Sequence, residues 1–414
     1  MTDVTTRLVP WSPWRTVVWF GVVSLAADMV YEGARSITGP FLGALGAGAL
    51  TVGLVTGAGE AAALALRLVS GPLADRSGRY WSLTLVGYAM TVVCVPLMAL
   101  APFLGGAGLV FGATMVLLER TGKAIRSPSK SALLAHAAVS VGRGRGFAVH
   151  KALDQVGAFA GPLLVAGVAA LTSRTWPGLA VLAIPGAIAL VLLLVVRARV
   201  PDPGVYDAAE PVAAASGVAA SGVPGSTVTD VVRPRLPREF QMFALSCAAS
   251  TLGLMTFGIL GFHLAEADLV SPALVPVVYA GAMAVQAVSA LGTGFAYDRI
   301  GARVLLVLPF LVALVPPLAL ADRLGVALVG VLVWGAAVGV QDSTVKALVA
   351  DLVPAGRLAT AYGVFAAYQG AAALAGGALA GWLYGGGTLD LVLVVGACQA
   401  VSLVLLAIVL RRRG

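Results

Sequence analysis

The sequence predicts an all-α polytopic membrane protein, with twelve transmembrane helices in two six-helix bundles related by pseudo-symmetry. Three observations lead to this prediction: the apolar composition, the regular spacing of long apolar runs, and a short loop pattern that occurs once in each half. Of the 414 residues, 59% are hydrophobic and only 11% are charged, whereas about a quarter of the residues of a soluble domain are charged. A chain of this composition is expected to lie in a lipid bilayer.

Twelve apolar stretches are long enough to cross a membrane, since a helix of about 20 apolar residues spans the hydrocarbon. The first is too long for a signal-peptide core and is not followed by a convincing cleavage site, so we expect it to be retained. The predicted spans are residues 14–35, 48–72, 80–101, 105–125, 147–171, 177–198, 239–263, 272–297, 302–321, 324–348, 359–384 and 388–410.

The pattern Gly-x-x-x-Asp-Arg-x-Gly lies between the second and third spans and again between the eighth and ninth. A tight glycine turn beside basic residues is typical of the cytoplasmic end of a helical hairpin. The repetition predicts two related halves, residues 1–199 and 238–414, joined by a proline-interrupted cytoplasmic linker at residues 200–237. The matching residues are Gly71, Asp75, Arg76, Gly78 and Arg79 in the first copy, and Gly294, Asp298, Arg299 and Gly301 in the second.

These two loops resemble the signature loop of the major facilitator superfamily and its weaker second copy. Tyr80 stands where the family has a second basic residue. The wider stretches 24–32 and 144–158 resemble a prokaryotic branch of that superfamily whose members mostly lack an assigned substrate. The resemblance implies a secondary transporter that works by alternating access, with its substrate site between the two bundles.

The distribution of basic residues predicts the orientation, because cytoplasmic loops retain positive charge. Arg35, Arg174 and Arg323 are the basic residues assigned to the opposite loops, while Arg67 and Arg120 fall inside helices. Both termini are therefore predicted to be cytoplasmic, in the cell membrane. The net charge of +8 then predicts attraction to anionic lipid headgroups rather than to nucleic acid.

Ionisable residues inside the spans mark the candidate cavity, because an unpaired charge at the bilayer centre is costly. Asp28 and Glu32 share one face of the outer half of the first helix, and Glu60 and Arg67 share one face of the second. Other candidates follow on the fourth and fifth spans: Glu119 and Arg120 in the inner part of the fourth, and Asp154 near the start of the fifth.

Two roles are open for these residues. Asp28, Glu32 and Glu60 outnumber the buried Arg67, so carboxylates in an apolar cavity are predicted to carry protons. The alternative is a set of structural carboxylates bonded to backbone or to Arg67. For Glu119 with Arg120, a structural ion pair and a substrate contact are equally open, and Asp154 could equally belong to a solvated helix start.

The second half has polar residues and few charges in its spans. Gln341 and Gln369 are candidates for neutral hydrogen bonds to a substrate. Asp342 and Lys346 are four residues apart and could neutralise each other.

Small residues and proline on the fifth span resemble a motif associated with antiporter branches of the superfamily. Gly157, Gly161 and Pro162 match, while Val165 and Ala166 replace two further glycines. Small residues also serve ordinary close helix packing. The resemblance implies export by antiport.

Charge placement predicts a mechanical role for the first loop. Asp75 at a helix end is expected to be attracted to the positive N-terminus of the eleventh helix, near residues 358–360. Together with Arg76 and Arg79 it would stabilise the state that is closed on the cytoplasmic side. A plain topology-setting turn is the alternative.

An enzyme is not expected, because His136, His150 and His263 are scattered and no nucleophile or metal-ligand pattern is present. Cys94, Cys247 and Cys398 fall in three separate spans and predict neither a metal site nor a disulfide. We therefore expect no cofactor, metal or nucleic-acid partner. The predicted partners of this monomer are a small-molecule substrate, protons and membrane lipid. Proton-coupled efflux is the central prediction, with proton-coupled uptake of a small metabolite and a transporter-like sensor as alternatives.

Overall fold

The computed structural model describes residues 11–202, 204–206, 236–353 and 358–412, and the regular secondary structure in these ranges is helical. The helices of the first half are α1 Pro13–Ala44, α2 Ala49–Ser77, α3 Tyr80–Met98, α4 Gly108–Val139, α5 Arg143–Thr172, α6 Trp176–Ala180 and α7 Ala183–Arg199. Those of the second half are α8 Arg238–Gly253, α9 Phe257–Glu266, α10 Val275–Ile300, α11 Val307–Ala319, α12 Leu324–Leu352, α13 Leu358–Tyr384 and α14 Thr388–Arg411. Most of the predicted linker, residues 207–235, lies outside the described residues.

Twelve membrane crossings follow from these helices. In the described ranges, 10 helical segments are long and apolar enough to cross a membrane. One of them, Val275–Ala319, contains the turn at Gly301 and so makes two crossings. α4 adds the last, although charged residues in its middle lower its hydropathy. The prediction of a twelve-helix, all-α membrane protein is confirmed.

Both copies of the loop pattern end a helix with a glycine that other residues could not easily replace. Gly78 follows α2 with φ 63°, and its N–H donates to the Ala74 carbonyl at 2.9 Å. Gly301 follows α10 with φ 65°. This left-handed backbone favours glycine, which is the usual helix terminator. We call the end of the protein that carries these two turns the motif end, and the other end the opposite end.

Two helices are longer than predicted, and this changes how far along each helix the candidate residues lie. α1 ends at Ala44 rather than at residue 35, and α4 ends at Val139 rather than at residue 125. Arg35 and the charged segment of α4 were expected to end apolar spans, but packing against neighbouring helices keeps the backbone helical through them. The predictions that placed Arg35 in a loop and Glu119 and Arg120 near the inner end of their helix are therefore wrong, whereas Asp28 lies at the middle of α1 and Glu32 in its second half.

The apolar core of the first half is divided into two clusters. One includes Phe20 and Trp81 and reaches toward the motif end, and the other includes Ile37 and Phe41 and reaches toward the opposite end. The second half has one continuous apolar cluster instead. The gap between the two clusters of the first half lies at the level of Asp28, and polar side chains fill it.

The two halves close on each other at the opposite end through glycines. The contacts join α2 with α13, α1 with α9, and α5 with α10. A Cβ atom on Gly57 would lie 3.2 Å from the Gly377 Cα, and one on Gly381 would lie 2.8 Å from the Leu50 Cα. Backbones this close leave no room for larger side chains.

Candidate functional site

Five charged side chains form a row across α1, α2 and α4, in the gap between the two apolar clusters. We call Glu32, Arg35, Glu60, Arg120 and Glu119 the charge row. Arg35 Nη2 lies 3.1 Å from Glu60 Oε1, and Arg35 Nη1 lies 3.8 Å from Glu32 Oε2. Arg120 Nη1 lies 3.7 Å from the same Glu60 oxygen, and Arg120 Nε lies 3.6 Å from Glu119 Oε2. Glu60 thus joins two arginines that come from different helices.

Solvent access is lowest at Arg120 and Glu119, at one end of the row, and highest at Glu60 and Arg35. The Arg120 and Glu119 side chains are each 6% exposed, whereas those of Arg35 and Glu60 are 21% and 27% exposed. Alternating sign lets each buried charge be compensated by its neighbours. The accessible members, Glu60 and Arg35, are the ones that a solute or a proton can reach in this conformation.

Tyr31 fixes the buried end of the row. Arg120 Nη1 donates to the Tyr31 hydroxyl, and the Arg120 guanidinium lies 4.5 Å from the centre of the Tyr31 ring. Lys123 Nζ lies 3.2 Å from the same ring centre. Cation–π contacts of this kind are strongest where water is excluded, so Tyr31 helps to hold two cations away from lipid.

A second polar group surrounds Asp28 and Asp154. Asp28 Oδ1 lies 3.9 Å from Arg126 Nη2, and Lys151 Nζ donates to Asp154 Oδ2 at 2.6 Å. Asp28 and Asp154 are also close enough to interact electrostatically. The structure therefore brings together two predicted site residues from α1 and α5.

A buried hydroxyl lies one helical turn before Asp28. The Ser24 hydroxyl is 2.8 Å from His150 Nε2 and accepts from Lys130 Nζ at 3.1 Å. His150 is buried, whereas the Lys151 side chain is 66% exposed. The solvated helix start considered for this segment thus describes Lys151 and does not describe His150.

The polar residues of the second half form a neutral group. Gln341 Nε2 donates to Thr251 Oγ1 at 2.7 Å, and Thr251 donates to Gln369 Oε1. Gln286 Nε2 donates to Asp342 Oδ2 at 3.2 Å. The side chain of Lys346, the predicted partner of Asp342, lies outside the described residues.

Two side-chain hydrogen bonds join described residues of the two halves. The Tyr279 hydroxyl of α10 donates to Glu32 Oε2 at 2.5 Å. The hydroxyls of Thr56 and Thr256 lie 2.7 Å apart. Both bonds lie away from the two glycine turns of the motif end.

The predicted packing motif brings α5 against α1. A Cβ atom on Gly161 would lie 2.7 Å from the Met29 Cα, and one on Gly157 would lie 2.8 Å from the Leu25 carbonyl carbon. Pro162 lies inside α5. Met29 directly follows Asp28, so this contact helps to place Asp154 beside Asp28.

Several members of the site were missed or misplaced by sequence reasoning. Arg35 was assigned to a loop, yet it lies in α1 and pairs with two acids; its position three residues after Glu32 was a usable signal. Tyr31 and Tyr279 carried no signal beyond their polarity. In the alternative with structural carboxylates, Arg67 was a possible partner of the acids; among the described residues Glu60 pairs with Arg35 and Arg120, and the Arg67 Nε atom has no hydrogen-bond partner there.

The first copy of the loop pattern is exposed at the motif end. The Asp75 Oδ1 atom accepts from the Tyr80 hydroxyl at 3.1 Å, and Arg76 and Arg79 are exposed. The side chains at residues 358–360, the predicted contact of Asp75, lie outside the described residues. The second copy is also exposed at Asp298 and Arg299.

A cavity of about 930 Å³ lies at the opposite end, away from the charge row. Its walls come from both halves and include Phe41, Arg174, Trp176 and Leu274. None of the residues of the charge row lines it. We call the charge row and the polar group around Asp28 and Asp154 the polar layer. The candidate site is this layer, and the cavity is a separate feature.

The chain is similar in sequence to proteins whose names describe them as uncharacterized. No family model matches the chain. It is 52% identical over 397 residues to uncharacterized proteins of Mycobacterium tuberculosis and Mycobacterium bovis, covering 95% of this chain and 93% of each relative. It is 28% identical over 150 residues, 36% of each chain, to an uncharacterized MFS-type transporter of Methanocaldococcus jannaschii.

Solved structures decide the fold. The nucleoside transporter NupG superposes with a TM-score of 0.71 at 13% identity, covering 96% of this chain and 99% of NupG. The chain belongs to a family of membrane proteins with the major facilitator superfamily fold. A peptide transporter POT has a TM-score of 0.72 at 15% identity, covering 96% of this chain and 94% of that one. For a bacterial homologue of the lysosomal transporter Spinster in an inward-facing conformation, the TM-score is 0.66 at 15% identity, with 96% of both chains covered.

Proposed function

We propose that this major facilitator superfamily protein is a secondary active transporter. It moves a small, amphiphilic molecule across the cell membrane by alternating access, with protons as the coupling ion and export by antiport as the direction. The observation that carries this proposal is the charge row, where the accessible Glu60 is shared between Arg35 and Arg120. Ionisable groups at membrane depth are costly, and they are retained where they serve a solute or ion pathway.

Proton coupling is supported by the acids of the polar layer. Asp28 on α1 and Asp154 on α5 are neighbouring acids, and repulsion between two close carboxylates favours uptake of a proton by one of them. Glu32 and Glu60 both pair with Arg35, so Arg35 can shift toward one of these acids when the other is neutralised. Asp28, Glu32, Glu60 and Asp154 are the proposed carriers.

The direction of transport rests on the packing between α5 and α1. Gly157, Gly161 and Pro162 resemble the antiporter motif, and they place α5 directly on the helix that carries Asp28 and Glu32. A conformational change in α1 would therefore be transmitted to Asp154. The motif end is proposed to be cytoplasmic, as the basic residues of the loops indicate.

Proton-coupled uptake of a small metabolite is the second candidate. The observation that favours it is the balance of the charge row, in which acidic and basic groups alternate. Such a site can accept the two charged ends of an acidic or zwitterionic solute by exchange of partners.

The test is transport in proteoliposomes with an imposed pH gradient. Purified protein is reconstituted with a pH-sensitive dye inside the vesicles, and candidate solutes are screened for movement of protons. Antiport predicts opposite flows of solute and protons, and uptake coupling predicts flow in the same direction. Solute flux that is unchanged when the gradient is collapsed would remove both coupled models.

A separate prediction concerns the loop at the motif end. Asp75→Asn removes the charge that is expected to attract the start of α13, so the state closed at the motif end should be less populated. We expect cysteines placed beside the charge row to be labelled from the motif end about threefold faster, since helix-terminus charge effects are about 0.5 kcal/mol or more. Equal labelling of Asp75→Asn and the parent protein would show that the loop is only a turn.

A further inference from the structure

The hydroxyl of Tyr279 links a charge in one bundle to a break in a helix of the other. It donates to Glu32 Oε2 at 2.5 Å, and that same oxygen is the one nearest to Arg35 Nη1. Tyr279 is fully buried. A hydrogen bond from a buried phenol to a carboxylate is among the stronger kinds in proteins. The bond is thus well placed to respond to the charge of Glu32.

The Tyr279 ring contacts the first residue after the break between α8 and α9, and it also contacts Trp334 of α12, which bonds to the break itself. Its centroid is 4.5 Å from that of Phe257, the first residue of α9, and 6.4 Å from that of Trp334. Trp334 Nε1 donates to the Met255 carbonyl at 2.7 Å. Leu254 and Thr256 have extended backbone angles. Tyr279 and Trp334 together therefore hold the non-helical segment at which α9 changes direction from α8.

α9 is the helix that closes the opposite end. Gly43 faces the Phe262 ring, where an added Cβ atom would lie 3.0 Å from Phe262 Cε2. The Thr56 hydroxyl meets that of Thr256 just before α9 begins. A change in the position of α9 would therefore open the contacts of α1 and α2 with the second half at this end.

We propose that Tyr279 couples the charge of Glu32 to closure of the opposite end, through the break between α8 and α9. An ionised Glu32 accepts the bond and holds α10, Phe257 and α9 against α1. When Glu32 takes up a proton, or pairs with a cation of the solute, its bond with the Tyr279 hydroxyl is lost. Tyr279 is then released and α9 can move. Tyr279 is a positioning residue, and it acts on access rather than on the solute itself.

The charges around Glu32 set when this release occurs. Arg35 competes with Tyr279 for the same oxygen from its own helix. The other ionisable groups that act on Glu32 or on Arg35 come from three elements: Glu60 on α2, Glu119 and Lys123 on α4, and Asp342 on α12. The proposal rests on alternating access but needs neither proton coupling nor a known solute.

The test uses the full chain with its three cysteines replaced by alanine and one reporter, Thr56→Cys. Thr56 is buried at the closed interface, so the rate at which a thiol reagent labels the reporter measures opening of the opposite end. Tyr279→Phe keeps the ring and removes the bond, and we expect labelling to become about tenfold faster, the size expected for loss of a hydrogen bond to a charged group.

Two further variants distinguish this proposal from a general loosening. Glu32→Gln should also raise the labelling rate. The variant that combines Tyr279→Phe with Glu32→Gln should be labelled less than about twofold faster than the faster of the two single variants. Tyr206→Phe is the matched control, because Tyr206 is a buried phenol that donates to the Trp11 carbonyl at 2.7 Å, away from the charge row and from α9, and its labelling should equal that of the reporter protein. Melting temperatures verify that each variant is folded.

Three outcomes would overturn the proposal: unchanged labelling in Tyr279→Phe, an equal increase in Tyr206→Phe, or additive effects of Tyr279→Phe and Glu32→Gln in the double variant. The measurement needs no substrate and no pH gradient. A failure of proton-coupled transport in proteoliposomes would therefore leave this result intact, and the reverse also holds.

Discussion

Glu60→Gln is expected to reduce gradient-driven transport by about 100-fold while the protein still folds. Glu60 forms ion pairs with two arginines from different helices, and glutamine can offer only a neutral oxygen to them. An uncompensated charge at membrane depth costs about 2.5–3.5 kcal/mol, which changes the balance of states by about two orders of magnitude. Arg35 and Arg120 would be left with an excess positive charge in the polar layer.

The measurement is initial-rate transport in proteoliposomes, with and without a pH gradient, on protein of verified monodispersity. Glu239→Gln is the matched control, because it makes the same chemical change to an acid that pairs with the exposed Arg412 at 3.8 Å. Exposed pairs of this kind contribute little, so the control should transport like the parent protein. Gradient-driven transport by Glu60→Gln at the rate of the control would contradict the role assigned to Glu60.

Gly161→Val is expected to destabilise the packing of α5 against α1 strongly. Its Cβ atom would lie 2.7 Å from the Met29 Cα, and a backbone atom cannot move aside as a side chain can. Overpacking of this kind costs about 3 kcal/mol when the neighbouring helix must shift. The same shift would separate Asp154 from Asp28.

Thermal unfolding of the detergent-solubilised protein measures this effect. Gly167→Val is the matched control on the same helix, because nothing lies within 4 Å of a Cβ atom added at Gly167. It should unfold at the parent temperature or slightly above, since replacing a helical glycine is worth about 0.5 kcal/mol. Equal melting temperatures for the two variants would show that α5 and α1 are not packed as described.

The fold was predictable because its signals are local in the sequence. Apolar runs define the crossings, and both loop copies end their helices with a glycine of positive φ. The ends of α1 and α4 were not predictable from hydropathy, because charged residues in the middle of a helix resemble a helix end until their partners are known. That ambiguity is why Arg35 was assigned to a loop, when it is the cation that joins Glu32 to Glu60.

The site was predictable residue by residue but not as an arrangement. Buried acids on α1, α2 and α4 could be found because charge inside an apolar run is conspicuous. Their partners could not, because contacts such as that of Tyr279 with Glu32 join residues 247 positions apart. A tyrosine in an apolar helix has many ordinary uses, so its role becomes visible only when the two bundles are placed together.

The contact of α2 with α13 has a mechanical consequence. Along it, Gly53, Gly57, Gly377 and Gly381 present bare backbone to the other bundle. Glycine surfaces of this kind do not interdigitate, so one bundle can rotate over the other without any side chain changing its rotamer. The contact should therefore oppose this rotation little, and the relative tilt of the two bundles should be governed by the ionised groups at the middle of the molecule.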